Sequence, residues 1–310
     1  MTVLQVLLIA GTHGNEINAP WLMDQAIKQP LFTRKRDFNV VTEIGNPLAF
    51  DKARRYIDND LNRSFRPDFL SLPSSDVYEI QRAKFLIKKY GVAGTNPCHF
   101  AIDLHTTTSS MGGSLVIYGR RPADLALAAL VQHRLGLPIY LHEDDNSQKG
   151  FLVEAWPCGL VVEIGPVAQS LLDSEIVEKN RLILQVIFDE ISKLIDGIEN
   201  YPDRLIVYSH IGSIDYPRDQ SDQIKYLIHP DLKGKDWHPI SDGCPIFIDS
   251  NGEIIKFEAK KFNHRNGLSA VFINEAAYAE KKIAMSIAKK ETLYLHDEWK
   301  ISLNELIKNT

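Results

Sequence analysis

Gly11-Thr12-His13-Gly14-Asn15-Glu16 sets a histidine three residues before a glutamate, immediately after the apolar run 3–10. A hydrolytic zinc site takes two histidines and one carboxylate and keeps a fourth position open. In an open α/β sheet, ligands bind beyond the carboxyl ends of the strands, so His13 and Glu16 face the expected crevice. The glycines flanking His13 let the backbone turn sharply there. Among 10 histidines one His-x-x-Glu is close to a chance event, and its place after a strand is what gives it weight. His142-x-x-Asp145 has the same spacing but sits in the polar run 143–146, so it reads as a solvated loop.

A third ligand must come from another strand end. His105 follows the apolar run 100–104 and precedes Thr106-Thr107-Thr108, which puts it at the same edge of the sheet. Asp103 either fixes the tautomer of that imidazole or points away from it. In Gly159-Leu160-Val161-Val162-Glu163-Ile164-Gly165-Pro166 a carboxylate ends a buried apolar strand, which is costly without a partner. Glu163 is therefore a site residue, either a ligand or a base, and general base is the better role once His13, Glu16 and His105 complete the shell. The polar stretch 54–63 carries Arg55, Asn62 and Arg63. Guanidinium and amide groups suit a substrate carboxylate, and Arg55 suits an oxyanion. The competing reading of this stretch is a surface loop of ion pairs to Asp58 and Asp60.

These residues need strands and helices to position them. Apolar runs at 3–10, 38–44, 100–104, 114–118 and 160–164 read as strands. Helices are expected from an N-cap at Asp76 to Gly91, from about Ala123 to Gly136, and after Ser174, where Val177, Leu184, Ile187, Ile191 and Leu194 share one face. This alternation is that of an α/β sheet covered by helices. After Tyr201-Pro202 the segments shorten to strands at 204–211, 224–228, 246–248, 254–257 and 268–274, with Asn251-Gly252 expected as a two-residue turn and 275–290 as a helix. The expected organisation is a catalytic domain at 1–203 and a smaller β-rich domain at 204–310.

Composition narrows the class. With 44% hydrophobic and 24% charged residues the chain is that of an ordinary globular protein, and a net charge of -5 argues against nucleic acid. Arg34-Lys35-Arg36 is too short a basic cluster to change that. The run 3–10 reads as a strand and not a signal peptide, and no apolar stretch nears the roughly 20 residues that span a bilayer. The three cysteines, Cys98, Cys158 and Cys244, form no pattern and point to a reducing cytoplasm. Gly11-x-x-Gly14 lacks both the GxGxxG pattern and a Walker lysine, which disfavours a nucleotide-binding module.

The motifs GTHGNE (11–16), GNP (45–47), RYIDNDLNR (55–63), DLHTTTSSMGG (103–113), VEIGP (162–166), HPDLKGKDWHPI (229–240) and NEAAY (274–278) together span nearly the whole chain. In this order the chain resembles the aspartoacylases, within the succinylglutamate desuccinylase/aspartoacylase branch of the zinc carboxypeptidase-like enzymes. The resemblance implies a mixed sheet flanked by helices, with a β-rich C-terminal domain reaching over the cleft. It implies one zinc ion per chain on His13, Glu16 and His105, with Glu163 activating water and Arg55 polarising the scissile carbonyl. Asn62, Arg63 and Tyr278 would hold the substrate carboxylate. The implied reaction is hydrolysis of a linear amide, N-acetyl-L-aspartate to acetate and L-aspartate. Other N-acyl amino acids, N-succinylglutamate and peptides are the alternatives, and the partner is a small-molecule substrate without nucleic acid or membrane, in a monomer or a homo-oligomer. One departure stands out: the Tyr-x-x-x-Arg pair that receives a side-chain carboxylate in aspartoacylases corresponds here to Lys149 and Val153, with the Lys149 ammonium as a replacement charge.

Overall fold

A computed structural model describes residues 3–28, 36–143, 145, 148–264 and 266–308 of the chain. Arg34 and Lys35 of the basic cluster lie outside the described residues. The first part of the chain runs β1 (Leu4–Ala10), α1 (Asn18–Lys28), β2 (Phe38–Ile44), α2 (Pro47–Asp51), α3 (Pro67–Leu70), α4 (Tyr78–Tyr90), β3 (Phe100–Thr106) and β4 (Gly112–Tyr118). It continues with α5 (Pro122–Leu135), β5 (Ile139–His142), β6 (Cys158–Gly165) and α6 (Ser174–Asp196). The remainder holds β7 (Arg204–Ile214), β8 (Leu227–Ile228), β9 (Pro245–Ile248), β10 (Ile254–Lys256), β11 (Leu268–Val271), β12 (Met285–Tyr294) and α7 (Asp297–Lys308).

The strands form a nine-stranded sheet in the order β11-β12-β7-β5-β4-β6-β3-β1-β2 and a three-stranded sheet β10-β9-β8. β1, β2, β3 and β6 pair in parallel, whereas β4 runs antiparallel to β6, so the large sheet is mixed as expected. β1, β3 and β6 are apolar on both faces because both faces are covered. On one side α1, α5, α6 and α7 bury Leu22, Leu127, Ile187 and Leu303 against the sheet. On the other, α4 and the loops pack Leu86, Leu61 and Trp156 against it. A third apolar cluster, around Phe247, Phe257 and Met285, belongs to the C-terminal part.

The helix ends follow their capping residues. Asp173 accepts the N–H groups of Glu175 and Ile176 at 2.8 and 3.2 Å, and Gly136 and Gly197 close α5 and α6 in the left-handed conformation. The expected N-cap at Asp76 is corrected: Val77 precedes α4, and the Tyr78 N–H is instead received at 2.9 Å by Asp58, from the arginine-rich loop. Asn251-Gly252 does not make a two-residue turn. Ile254 pairs with Ile248, and Asp249 organises a longer loop by accepting the N–H groups of Asn251 and Glu253 at 2.9 and 2.7 Å.

Three further differences concern the site. Residues 139–142, in the stretch read as a loop, form β5, which joins β4 to β7. The expected helix at 275–290 is a short 3-10 segment, Ala276–Lys281, followed by β12, whose outer half alternates between half-buried and exposed residues. The chain ends in α7, which returns Trp299 and Leu303 to the core beside α5 and α6. The large sheet thus continues through residue 203: β7 pairs in parallel with β5 through Tyr140↔Tyr208 and Leu141↔Ser209, and β12 and β11 extend it.

Candidate active site

Sheet register brings the separate motifs to one edge. Ala10 lies opposite Leu104, and His105 lies opposite Glu163. The chain leaves β1 through Gly11 at φ +65°, a conformation suited to glycine. A Cβ on Gly14 would stand 2.1 Å from the carbonyl carbon of Ala49, so only glycine lets this turn approach α2 so closely. The Gly14 N–H donates to the Arg55 carbonyl at 3.2 Å, which ties the His13 turn to the arginine-rich loop.

His13, Glu16 and His105 are buried, and their candidate ligand atoms all lie within 4.8 Å of one another. Both imidazoles turn Nδ1 inward: His13 Nδ1 is 2.6 Å from Glu16 Oε1, His105 Nδ1 is 3.1 Å from Glu16 Oε2, and the two Nδ1 atoms are 3.1 Å apart. Both turn Nε2 outward onto a carboxylate, His105 to Asp103 at 2.7 Å and His13 to Asp60 at 3.1 Å. In the tautomer in which each outer carboxylate accepts an Nε2 proton, the inner nitrogen keeps its lone pair, the arrangement that suits metal-ligating histidines. Two lone pairs and a carboxylate converging in a buried space fit a divalent cation. Asp103 thus faces His105, and its second oxygen accepts the Thr12 hydroxyl at 2.8 Å. Burial would raise the Glu16 carboxyl, but His13 and His105 outweigh it and hold it well below the usual carboxylate range. Glu163, half-buried beside them, is pushed the other way by burial, with Glu16 and Glu275 adding to the effect.

The stretch 54–63 is a loop ending in a 3-10 turn, Leu61–Arg63. Arg55 lies 3.5 Å from Glu16 Oε1 and 3.3 Å from Asp60 Oδ2, so the ion pairing expected of a surface loop is made here inside the site. Asn62 Oδ1 accepts the Leu152 N–H at 2.8 Å, which leaves its amide nitrogen for a ligand. Arg63 donates to Gln148 Oε1 at 2.6 Å and lies 4.1 Å over the Phe151 ring. Glu79 of α4 holds the loop from below. It is fully buried and accepts the N–H groups of Ile57, Asp58 and Asn59 at 2.7, 3.1 and 3.0 Å, and the Asn46 amide at 3.0 Å.

One pocket is lined by His13, Glu16, His105, Glu163, Arg55, Asn62, Arg63 and Tyr278 together. The expected ligands, base and carboxylate-binding residues therefore meet there. Lys149 and Val153 do not: Lys149 is exposed on another surface, and Val153 is buried against Gly159. Gln148 and Phe151 face the pocket in their place, so Lys149 supplies no replacement charge. His142 is a further correction, since β5 buries it in the pocket wall instead of leaving it in a solvated loop. Glu275 and Lys281, beside Tyr278, also line the pocket. Burial pushes the Lys281 ammonium down to about 8, with Arg63 adding to it and Asp60 opposing. Glu79 was visible as a carboxylate on the apolar face of α4, whereas Glu275 and Lys281 carried no local signal.

This fold and site define an amide hydrolase. The model of the succinylglutamate desuccinylase/aspartoacylase catalytic domain matches residues 2–191, and that of the AstE/AspA barrel-sandwich hybrid domain matches residues 203–290. The chain belongs to the succinylglutamate desuccinylase/aspartoacylase family. It is 52% identical over 307 residues to the probable aspartoacylase of Prochlorococcus marinus (strain MIT 9313), covering 99% of both chains. Murine aminoacylase 3 superposes with a TM-score of 0.85 at 29% identity, covering 95% of this chain and 98% of that one. The succinylglutamate desuccinylase of Chromobacterium violaceum shares the fold, with a TM-score of 0.62 at 17% identity over 94% of this chain and 86% of the other.

Proposed function

We propose that this protein is a zinc-dependent amidohydrolase that cleaves N-acyl-L-amino acids, with N-acetyl-L-aspartate as substrate and acetate and L-aspartate as products. The observation that carries the reading is the convergence of the His-Glu-His group, Glu163, Arg55, Asn62, Arg63 and Tyr278 in one pocket. His13, Glu16 and His105 would hold the zinc ion, which when bound would supply Lewis acidity and lower the pKa of water to near 7. Asn62, Arg63 and Tyr278 bind the substrate carboxylate and orient the amide. Glu163 in its ionised form takes a proton from the attacking water, and its burial, which raises its affinity for that proton, suits it to carry the proton to the departing amine. Arg55 stabilises the oxyanion that develops on the acyl oxygen. We assign residues 1–203 to the catalytic part and residues 204–310 to the cover over the cleft, acting in the cytoplasm. Among the described residues no helix is long and apolar enough to cross a membrane.

A second reading, a deacylase of other N-acyl amino acids, is favoured by one observation: Gln148 and Phe151, not a cation, face the pocket from the segment before β6. Turnover of N-acetyl-L-aspartate, other N-acetyl amino acids, N-succinyl-L-glutamate and a short peptide by zinc-loaded protein tests both. Preference for N-acetyl-L-aspartate supports the first, preference for another N-acetyl amino acid supports the second, and hydrolysis of none of the panel rejects both.

A further inference from the structure

The pocket wall made by β4, β5 and residues 148–151 contains a polar atom that the protein does not satisfy. His142 is only 8% exposed, and its Nε2 is buried without a hydrogen-bond partner among the described residues. The ring lines the same pocket as His105 and Glu163. The backbone of Gln148 lies beside the ring and raises its proton affinity, as a carbonyl that accepts a ring N–H does. A neutral imidazole has one N–H and one lone pair, so a ring that donates from Nδ1 keeps Nε2 as an unpaired acceptor in the pocket wall. An unpaired buried acceptor costs about 1–3 kcal/mol, which a ligand bearing a donor recovers.

The surroundings indicate which part of a ligand arrives there. Phe151 meets the His142 ring edge to face at 5.1 Å and stacks on Tyr118 at 3.7 Å, giving an aromatic wall. Arg63 borders the same patch, over Phe151 and bonded to Gln148. A substrate whose carboxylate lies on Asn62 and Arg63 carries its side chain on the adjacent carbon, within reach of this wall.

We propose that His142 reads the side chain of the N-acyl amino acid: Nε2 accepts from a neutral side chain bearing an N–H or O–H, and holds a side-chain carboxylate only after taking up a proton. This rests on the deacylase reading above. The charged and titratable groups facing the ring are Arg63 from the 3-10 turn, His210 from β7, Asp145 beyond β5, and the phenols of Tyr118 and Tyr140. Burial first, then His210 and Arg63, hold the ring down to about 4, with Asp145 opposing. The free ring is therefore neutral at pH 7, and binding an anionic side chain draws in one proton.

N-acetyl-L-aspartate and N-acetyl-L-asparagine are nearly isosteric and differ in this one group, so ionisations of groups that do not meet the side chain cancel in the ratio of their kcat/KM values, and the Lys281 ammonium, held at about 8, leaves that ratio unchanged below about pH 7. That ratio, measured from pH 6 to 7, is expected to fall about tenfold per pH unit in the wild-type enzyme, as uptake of one proton requires. In His142→Asn, whose amide donates without a proton, the ratio is expected to be flat. A flat wild-type ratio, or the wild-type slope retained in folded His142→Asn, overturns the proposal. A flat wild-type slope below pH 7 overturns the proposal even if the variant does not fold. Hydrolysis of N-acetyl-L-aspartate with none of N-acetyl-L-asparagine overturns this inference and leaves the deacylase reading standing, whereas turnover of no N-acyl amino acid rejects both.

Discussion

Glu275 accepts the backbone N–H of Thr108 at 2.8 Å, three residues beyond His105, and so joins the C-terminal part of the chain to the turn that carries a candidate ligand. The same carboxylate receives the Thr108 hydroxyl at 2.9 Å, the Thr107 hydroxyl, and the Ala277 N–H at 3.0 Å. Glu275→Ala leaves these buried donors unpaired and is expected to destabilise the fold by about 3 kcal/mol or more. Urea unfolding would show it, and an unchanged midpoint would remove Glu275 from the scaffold of the site.

Glu163→Gln keeps the shape of the side chain and removes its proton-accepting role. Turnover is expected to fall at least about a hundredfold with zinc content unchanged. Mass spectrometry of the native protein measures the second quantity, and undiminished turnover would exclude Glu163 as the base. His105→Ala, by contrast, is expected to lose the metal.

Glu79 touches no substrate, yet the loop bearing Arg55, Asn62 and Arg63 hangs on its carboxylate. Glu79→Gln keeps one acceptor and loses the other, and the expected result is a KM raised about tenfold or more with a smaller change in kcat. Equal loss in both constants, or none in either, would argue against a role in positioning the loop.

Stability should depend on pH through His142. Its folded value of about 4 lies below the usual 6.5, so the unfolded chain binds the proton more readily between those values. The contribution is fully present above pH 6.5 and is lost as pH falls through about 4, by about 3 kcal/mol at one site. Denaturant unfolding of wild type and His142→Phe across pH 4–7 checks the sign. The variant is expected to lose less stability on acidification, and parallel curves would refute the linkage.

The His-Glu-His group was legible in the sequence because each candidate residue followed an apolar run, and sheet register then converts "end of a strand" into a shared edge. Ala10 opposite Leu104 and His105 opposite Glu163 state that conversion in coordinates. What escaped was set by long-range partners. The four residues of β5 are too few for a period and precede an acidic stretch, so nothing local separates them from a loop. Val77 preceded α4 in place of Asp76 because the donor of the first turn found Asp58, twenty residues upstream. Lys149 and Val153 were chosen by counting back from Glu163, but which side chains face inward depends on how residues 148–155 turn.

The pocket draws on residues from His13 to Lys281 of a chain of 310, and it is walled through β5, whose neighbour β7 follows residue 203. A nascent chain therefore holds the whole His-Glu-His group long before it can make a substrate cavity. The same late segments complete the large sheet and its core, so loss of the last third of the chain is expected to cost the substrate cavity and not only its cover.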